Sequence, residues 1–146
     1  MATDSSRSWK KSKDPLYRGD AKDAVRSPHP SASPSIVRHV LQLEGPGTET
    51  PFLSTSEEKD YAQEFAGRNG RVWTALASKA EAAGAAHRPR KDLLQLLRSG
   101  AGDAAWPSAS ERQEARKRVE QWAEHLFDFQ GMDDEATTRA LRSVFE

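Results

Sequence analysis

A chain of 146 residues with 22 basic and 22 acidic side chains is long enough for one domain with a modest core. It carries no net charge that would steer it toward nucleic acid or an anionic membrane. It has no cysteine, which excludes disulfides, thiolate metal sites and cysteine nucleophiles and leaves the compartment open. No apolar run is long enough for a transmembrane helix or a signal-peptide core, so the expectation is no membrane partner. The protein would be cytoplasmic, or delivered by a secretion system that reads no cleavable signal.

Residues 1–14 are polar and basic around a single Trp9 and lack periodicity. They read as a flexible basic tail, with residues 15–146 as one domain. A basic tail with one aromatic could touch a nucleic acid or an acidic partner, although a solvated leader is the commoner case. Pro15 leads into Leu16-Tyr17-Arg18, a short strand that would present Arg18 at its end, and Gly19-Asp20 then turns the chain. Residues 20–25 suit one helical turn. Pro28, Pro30 and Pro34 make residues 26–35 a loop. Residues 36–43 are ambiguous: the β-branched residues favour a strand, while Ile36, Val37, Val40 and Leu41 also fit a short helix. Gly45-Pro46-Gly47 marks a turn.

The stretch Pro51-Phe52-Leu53-Ser54-Thr55-Ser56-Glu57-Glu58 runs from an apolar step into three hydroxyl residues, as a strand delivering Ser54 and Thr55 to a surface would. Thr55 and Glu58 have capping-box spacing for the helix that follows. On that helix Tyr61 pairs with Phe65 and Ala62 with Ala66, four residues apart. Gly67-Arg68-Asn69-Gly70 is a tight turn. Residues 71–76 read as a strand, 78–83 as a helical turn stopped by Gly84, and 85–88 as another short strand. Leu93, Leu94, Leu96 and Leu97 read as the buried side of a helix opened by Pro89. Residues 99–109 form a loop with Trp106 as an anchor.

Ser110 is placed as an N-cap with Gln113 at the capping-box position. Ala115, Val119, Trp122, Leu126 and Phe129 then repeat at helical spacing. A strand reading competes from His125 onward, where His125, Phe127 and Phe129 alternate with Leu126 and Asp128. Residues 135–145 form a last helix or strand. The sum is a compact α+β domain: a small split β-sheet core with peripheral helices.

The order Tyr17-Arg18-Gly19, then Phe52-Leu53-Ser54-Thr55-Ser56, then an Ala/Phe-bearing helix, then Gly70-Arg71-Val72-Trp73, resembles the R-S-E class of ADP-ribosyltransferases. The resemblance covers about half the chain and implies an ADP-ribosyltransferase-like fold with NAD as substrate. In that family an arginine on the first strand precedes a Ser-Thr-Ser strand, and a glutamate opens a later strand. It implies Arg18, Ser54 and Glu124 as the catalytic set, with Glu120 in reserve. Arg18, Tyr17, Gly19, Ser54, Thr55, Ser56 and Tyr61 would hold the dinucleotide.

Cleaving nicotinamide from NAD passes through an oxocarbenium-like state, as glycoside hydrolysis does. Arg18 would grip the pyrophosphate with charge-assisted bonds that a lysine would not copy. Ser54 would fix the nicotinamide ribose and orient the acid, with Thr55 and Ser56 shaping the strand and its exit. Glu124 would stabilise charge developing on the sugar. The competing role for Arg18 is an ion pair with Asp20. For Glu124 it is a polar-face position, if the helix continues through Ala123. Members that modify arginine carry a second acid two residues before the catalytic one; here that position is Trp122, which leaves the acceptor open. It could be a protein side chain, a nucleic acid, a small molecule or water. His29, His39, His87 and His125 lack metal-ligand spacing, and His125 could help place a substrate.

The expected function is therefore an NAD-dependent ADP-ribosyltransferase, a toxin or effector with a protein acceptor or inhibitor protein as partner. The rivals are an inactive transferase-like binding module and an adaptor whose 110–129 helix docks in a partner groove.

Overall fold

The computed structural model describes residues 9–32, 34–41, 49–99 and 109–146. The expected turn at Gly45-Pro46-Gly47 and most of the loop carrying Trp106 lie outside the described residues. Five strands form one antiparallel sheet: β1 (Leu16–Ala21), β2 (Phe52–Ser56), β3 (Gly70–Ala75), β4 (Ala86–Arg88) and β5 (Glu124–Asp128), in the order β3-β1-β2-β5-β4. Six helices accompany them: α1 (Ile36–Leu41), α2 (Lys59–Ala66), α3 (Ala77–Ala82), α4 (Arg90–Ser99), α5 (Ala109–Gln121) and α6 (Asp134–Val144). The α+β expectation holds.

The sheet's neighbouring strands are not joined equally. β1 pairs with β3 at six positions and β2 with β5 at five, but β1 meets β2 at one, Tyr17 opposite Ser56. Beyond that pair β1 and β2 share no further ladder pair, and the cleft described below is lined by both. A close approach of α2 to β1 closes its other side. A β-carbon on Gly19 would overlap the Ala62 carbonyl and the Ala66 amide, so only glycine lets this helix sit so near the strand.

Helices cover both faces of the β2–β5 half. Phe127 and Leu53 pack in one core with Leu16, Ala77, Ala80, Ala140 and Val144, drawn partly from α3 and α6. Leu126 and Phe52 pack in the other with Val37, Leu93, Leu97, Ala115 and Val119, from α1, α4 and α5. β5 is consequently buried at all five positions, charged ones included. Such a doubly covered strand loses the alternation that marks a half-exposed one.

Several local expectations are corrected. Residues 9–14 are not a free tail: Trp9 packs against the first core, and its indole nitrogen donates to the Pro15 carbonyl at 3.1 Å. Residues 20–25 form no helical turn, because β1 continues to Ala21 and a bend follows. The capping box fails. Thr55 donates to the His125 carbonyl across the ladder, Glu58 occupies the cap position without a side-chain cap bond, and the Glu58 amide donates to Ser56 Oγ. Ser110 lies one residue inside α5 and is not its cap. Leu94 and Leu96 are only partly buried.

The long helical pattern from Ala115 stops at Gln121, so there is no continuous helix over 110–129 of the kind an adaptor would present. Its side chains Ala115 and Val119 are inside the core. The break has a tertiary cause. Ser56 Oγ donates to the Trp122 carbonyl at 2.6 Å, and the Glu57 amide donates to the Ala123 carbonyl at 3.0 Å. Two carbonyls at the end of the helix are thus taken by the end of β2. Ala123 turns the chain with a left-handed φ of 46°, uncommon for a non-glycine residue, and Glu124 opens the strand.

Candidate functional site

The split between β1 and β2 opens onto a cleft of about 580 Å³. Arg18, Ser54 and Glu124, separated by up to 106 positions in the chain, all line it. β1 brings Arg18. Its Nε donates to Asp20 Oδ2 at 2.8 Å and its Nη1 to the Ser54 carbonyl at 2.9 Å. The ion pair with Asp20 is therefore formed, and the same guanidinium reaches the hydroxyl strand. Burial lowers its pKa, and the neighbouring Asp20 opposes that. Its Nη2 has no hydrogen-bond partner among the described residues.

β2 brings Ser54, and the β2–β5 ladder fixes what faces it. Ser54 lies opposite Leu126 and Ser56 opposite Glu124, so Ser54 and Glu124 share a sheet face one register step apart. Ser54 Oγ donates to Glu124 Oε2 at 2.5 Å. The same hydroxyl contacts His39 Nε2 at 2.7 Å, and His39 Nδ1 contacts Thr50 Oγ1 at 2.6 Å. Burial first, then Arg18 and Arg26, push the His39 pKa down to about 3, so the ring is neutral and one of its nitrogens must accept. With Ser54 donating to the carboxylate, the consistent arrangement runs Thr50 to His39 to Ser54 to Glu124. This is not a serine nucleophile with its base and acid behind it, because the acid sits on the serine and not on the histidine.

Glu124 is 3% exposed. Burial pushes its pKa up to about 7, against the opposing pull of the Ser54 hydroxyl and of Arg18 and Arg118. Its Oε1 is buried and has no hydrogen-bond partner. A buried, unpartnered carboxyl oxygen is costly and calls for an explanation in a proton, a water or a ligand.

The remaining expected residues divide. Tyr17 and Gly19 line the cleft beside Arg18. Thr55 and Ser56 also border it, but their hydroxyls are committed to the His125 and Trp122 carbonyls, which makes them builders of the β2–β5 joint. Tyr61 does not line the cleft: from α2 it is lined by Ala62, Phe65 and Ala66, and Tyr61, one turn before Phe65, is not among the lining residues. Glu120 is exposed on α5 and does not line it either. His125 is on the opposite face of β5. There its Nε2 lies 2.7 Å from Glu57 Oε2, and its Nδ1 lies 2.9 Å from His87 Nε2.

His39 is the residue that sequence reasoning missed. The available signal was a lone imidazole inside the apolar pattern of residues 36–41, on a segment whose helical or extended state was undecided. Among the described residues no group of three or more His, Cys, Asp or Glu side chains could hold a metal, and no helix is long and apolar enough to cross a membrane. No protein-family model, curated protein or solved structure matches this chain.

Proposed function

We propose that this chain is an NAD-dependent ADP-ribosyltransferase with an ADP-ribosyltransferase-like fold, cleaving nicotinamide from NAD and passing ADP-ribose to an acceptor. The observation that carries the reading is the bare Oε1 of Glu124 in the cleft shared with Arg18 and Ser54. A ribose hydroxyl of NAD would donate to that oxygen while the Ser54 hydroxyl holds Oε2. As the bond from C1′ to nicotinamide breaks, positive charge grows on the sugar. A carboxylate in a desolvated site answers such charge more strongly than one in water. Bringing a cationic nicotinamide ribosyl group beside Glu124 would also favour its ionised form, so substrate and charge state reinforce each other.

Arg18 supplies the anion-binding end through the nitrogen not used by Asp20 or the Ser54 carbonyl. Neutral His39 acts on Ser54, donating to its oxygen so that the hydroxyl stays turned to donate to the glutamate. A toxin or effector role rests on analogy with the family.

The experiment is direct. With NAD and a broad acceptor mixture, wild type releases nicotinamide, and Glu124→Gln and Arg18→Ala each lose roughly a hundredfold or more of that release. Equal release from all three overturns the reading. A second reading has one observation in its favour: the Arg18 charge is already met by Asp20, which suits a module that binds NAD without cleaving it. Thermal protection by NAD with no nicotinamide release would select that reading.

A further inference from the structure

A nucleophile taking ADP-ribose has to approach from the open side of the cleft, and among the exposed residues lining it, with Arg26, Ser27, His29 and Asn69, is one large apolar side chain. Phe65 is 54% exposed and lines the same cleft as Glu124. Its ring meets Trp122 edge-on, with centroids 5.0 Å apart and planes at 90°, so the two form a right-angled corner. Trp122 is held firmly. Its carbonyl accepts from Ser56 Oγ at 2.6 Å and its amide donates to the Arg118 carbonyl at 2.9 Å, two residues ahead of Glu124 across the left-handed Ala123. The edge-on pair holds the two rings in place and leaves an open apolar face of Phe65 in the cleft, against which a planar ring can stack.

Charge narrows the class of ring. The carboxylates lining the cleft are Asp20, paired with Arg18, and Glu124 itself. A guanidinium acceptor would therefore find no free acid beside the corner. The cation among the lining residues besides Arg18 is Arg26, and the Arg118 guanidinium, itself 3.8 Å from Glu114, lies 5.8 Å from the Trp122 ring centre. A neutral heteroaromatic ring tethered to phosphate fits this surround, and the Asn69 amide on the cleft wall can meet the polar edge of such a ring.

We propose that the Phe65–Trp122 corner is the acceptor subsite and that it takes a nucleobase, from a single-stranded nucleic acid or a free nucleotide. This rests on the transferase reading above. In the step, a ring or amino nitrogen of the base gives its lone pair to C1′ and forms the new C–N bond. The bond from C1′ to nicotinamide breaks, and nicotinamide leaves neutral with that electron pair. The acceptor nitrogen sheds its proton to water at the open mouth.

The test offers NAD together with single-stranded DNA, single-stranded RNA, free nucleoside monophosphates and an arginine-rich protein, and locates the ADP-ribose by mass spectrometry. Adducts are expected on bases, and the nucleic-acid and mononucleotide arms identify the source. Phe65→Ala, a change at an exposed position whose fold is checked by circular dichroism, should lower the ratio of base transfer to nicotinamide release. The drop should be roughly ten- to hundredfold, the loss of one base–aromatic stack. Label on protein side chains alone overturns the inference. So does a Phe65→Ala variant with a raised KM for NAD and an unchanged transfer ratio, since the corner would then belong to the dinucleotide. If wild type releases no nicotinamide, the transferase reading falls by itself, and the corner is tested by the NMR shift of the Trp122 indole on adding the same oligonucleotides. No shift, or a shift that Phe65→Ala leaves intact, overturns it.

Discussion

Glu124 and His125 are neighbours in β5, both buried, and they face opposite sides of the sheet. Their surroundings differ in one respect. His125 sits in a polar chain: Nε2 on Glu57, Nδ1 on His87, Glu57 in turn 3.3 Å from Arg90, with the Trp9 ring centre 4.4 Å away. Glu124 has one oxygen held by Ser54 and the other bare, beside an open cleft. Both ring nitrogens of His125 thus have partners, while Glu124 on the other face keeps one carboxyl oxygen without one. The first kind of arrangement serves stability, and the second is where a protein meets a ligand.

That contrast breaks most visibly through pH. The Glu124 pKa is raised to about 7, above its ordinary 4.5. The folded state therefore holds a proton that the unfolded chain has released. The penalty is absent below about pH 4.5 and is fully expressed above about pH 7, so stability falls as pH rises through that window. The shift corresponds to about 3 kcal/mol. Glu124→Gln, which cannot ionise, should flatten this alkaline limb in denaturant titrations run at about pH 5 and about pH 8. If wild type and variant lose stability equally over that range, Glu124 is not the strained group.

The opposite face should respond in the opposite currency. Glu57→Ala removes the acceptor at the head of the histidine chain and leaves a buried His125 nitrogen without its partner, a loss of about 1–3 kcal/mol. Since that network points away from the cleft, the NAD cleavage proposed above should change far less in KM and rate than the denaturation midpoint does. A variant of normal stability and impaired NAD cleavage would erase the distinction between the faces.

The difference in legibility between these regions has a physical basis. β2, β3, α4 and the hydroxyl run could be read because their patterns are local: apolar alternation, glycine and proline punctuation, leucines at helical spacing. Arg18, Ser54 and Glu124 were named through short motifs, and the ladder register brings the last two to one face. The point where α5 gives way to β5 was undecidable from the chain. Leu126 and Phe129 continue the helical spacing because β5 is buried on both faces, and the break depends on Ser56 and Glu57 capturing distant carbonyls. The roles of His39, His87 and Trp9 were out of reach for the same reason: the partners of each include side chains more than ten positions away. The Thr55–Glu58 box misled because cross-strand bonding to His125 outcompeted a local cap.

The smallest expected effect concerns the far end of the histidine chain. His87 stacks on His125 with ring centres 5.1 Å apart and planes 7° from parallel, and its Nδ1 is buried without a partner. Its pKa is pushed down to about 4, by burial first and then by His125 and Lys11, against the pull of Glu81. The folded state therefore excludes a proton that the unfolded chain accepts below about pH 6.5. Stability contributed by the neutral ring is complete above that value and drains away as pH falls toward 4. His87→Leu keeps an apolar body against Trp9 and Phe127 and removes one unsatisfied nitrogen. It also takes the partner from His125 Nδ1, a loss that the removal of the unsatisfied nitrogen offsets in part, so near pH 7 it should cost about 1 kcal/mol. Near pH 5 wild type should have lost about 1–2 kcal/mol that the variant retains, the full shift being reduced by the partial exposure of the ring. Parallel acid limbs for the two proteins would mean that His87 titrates as it does in water, and that the network beneath Trp9 is not closed to protons after all.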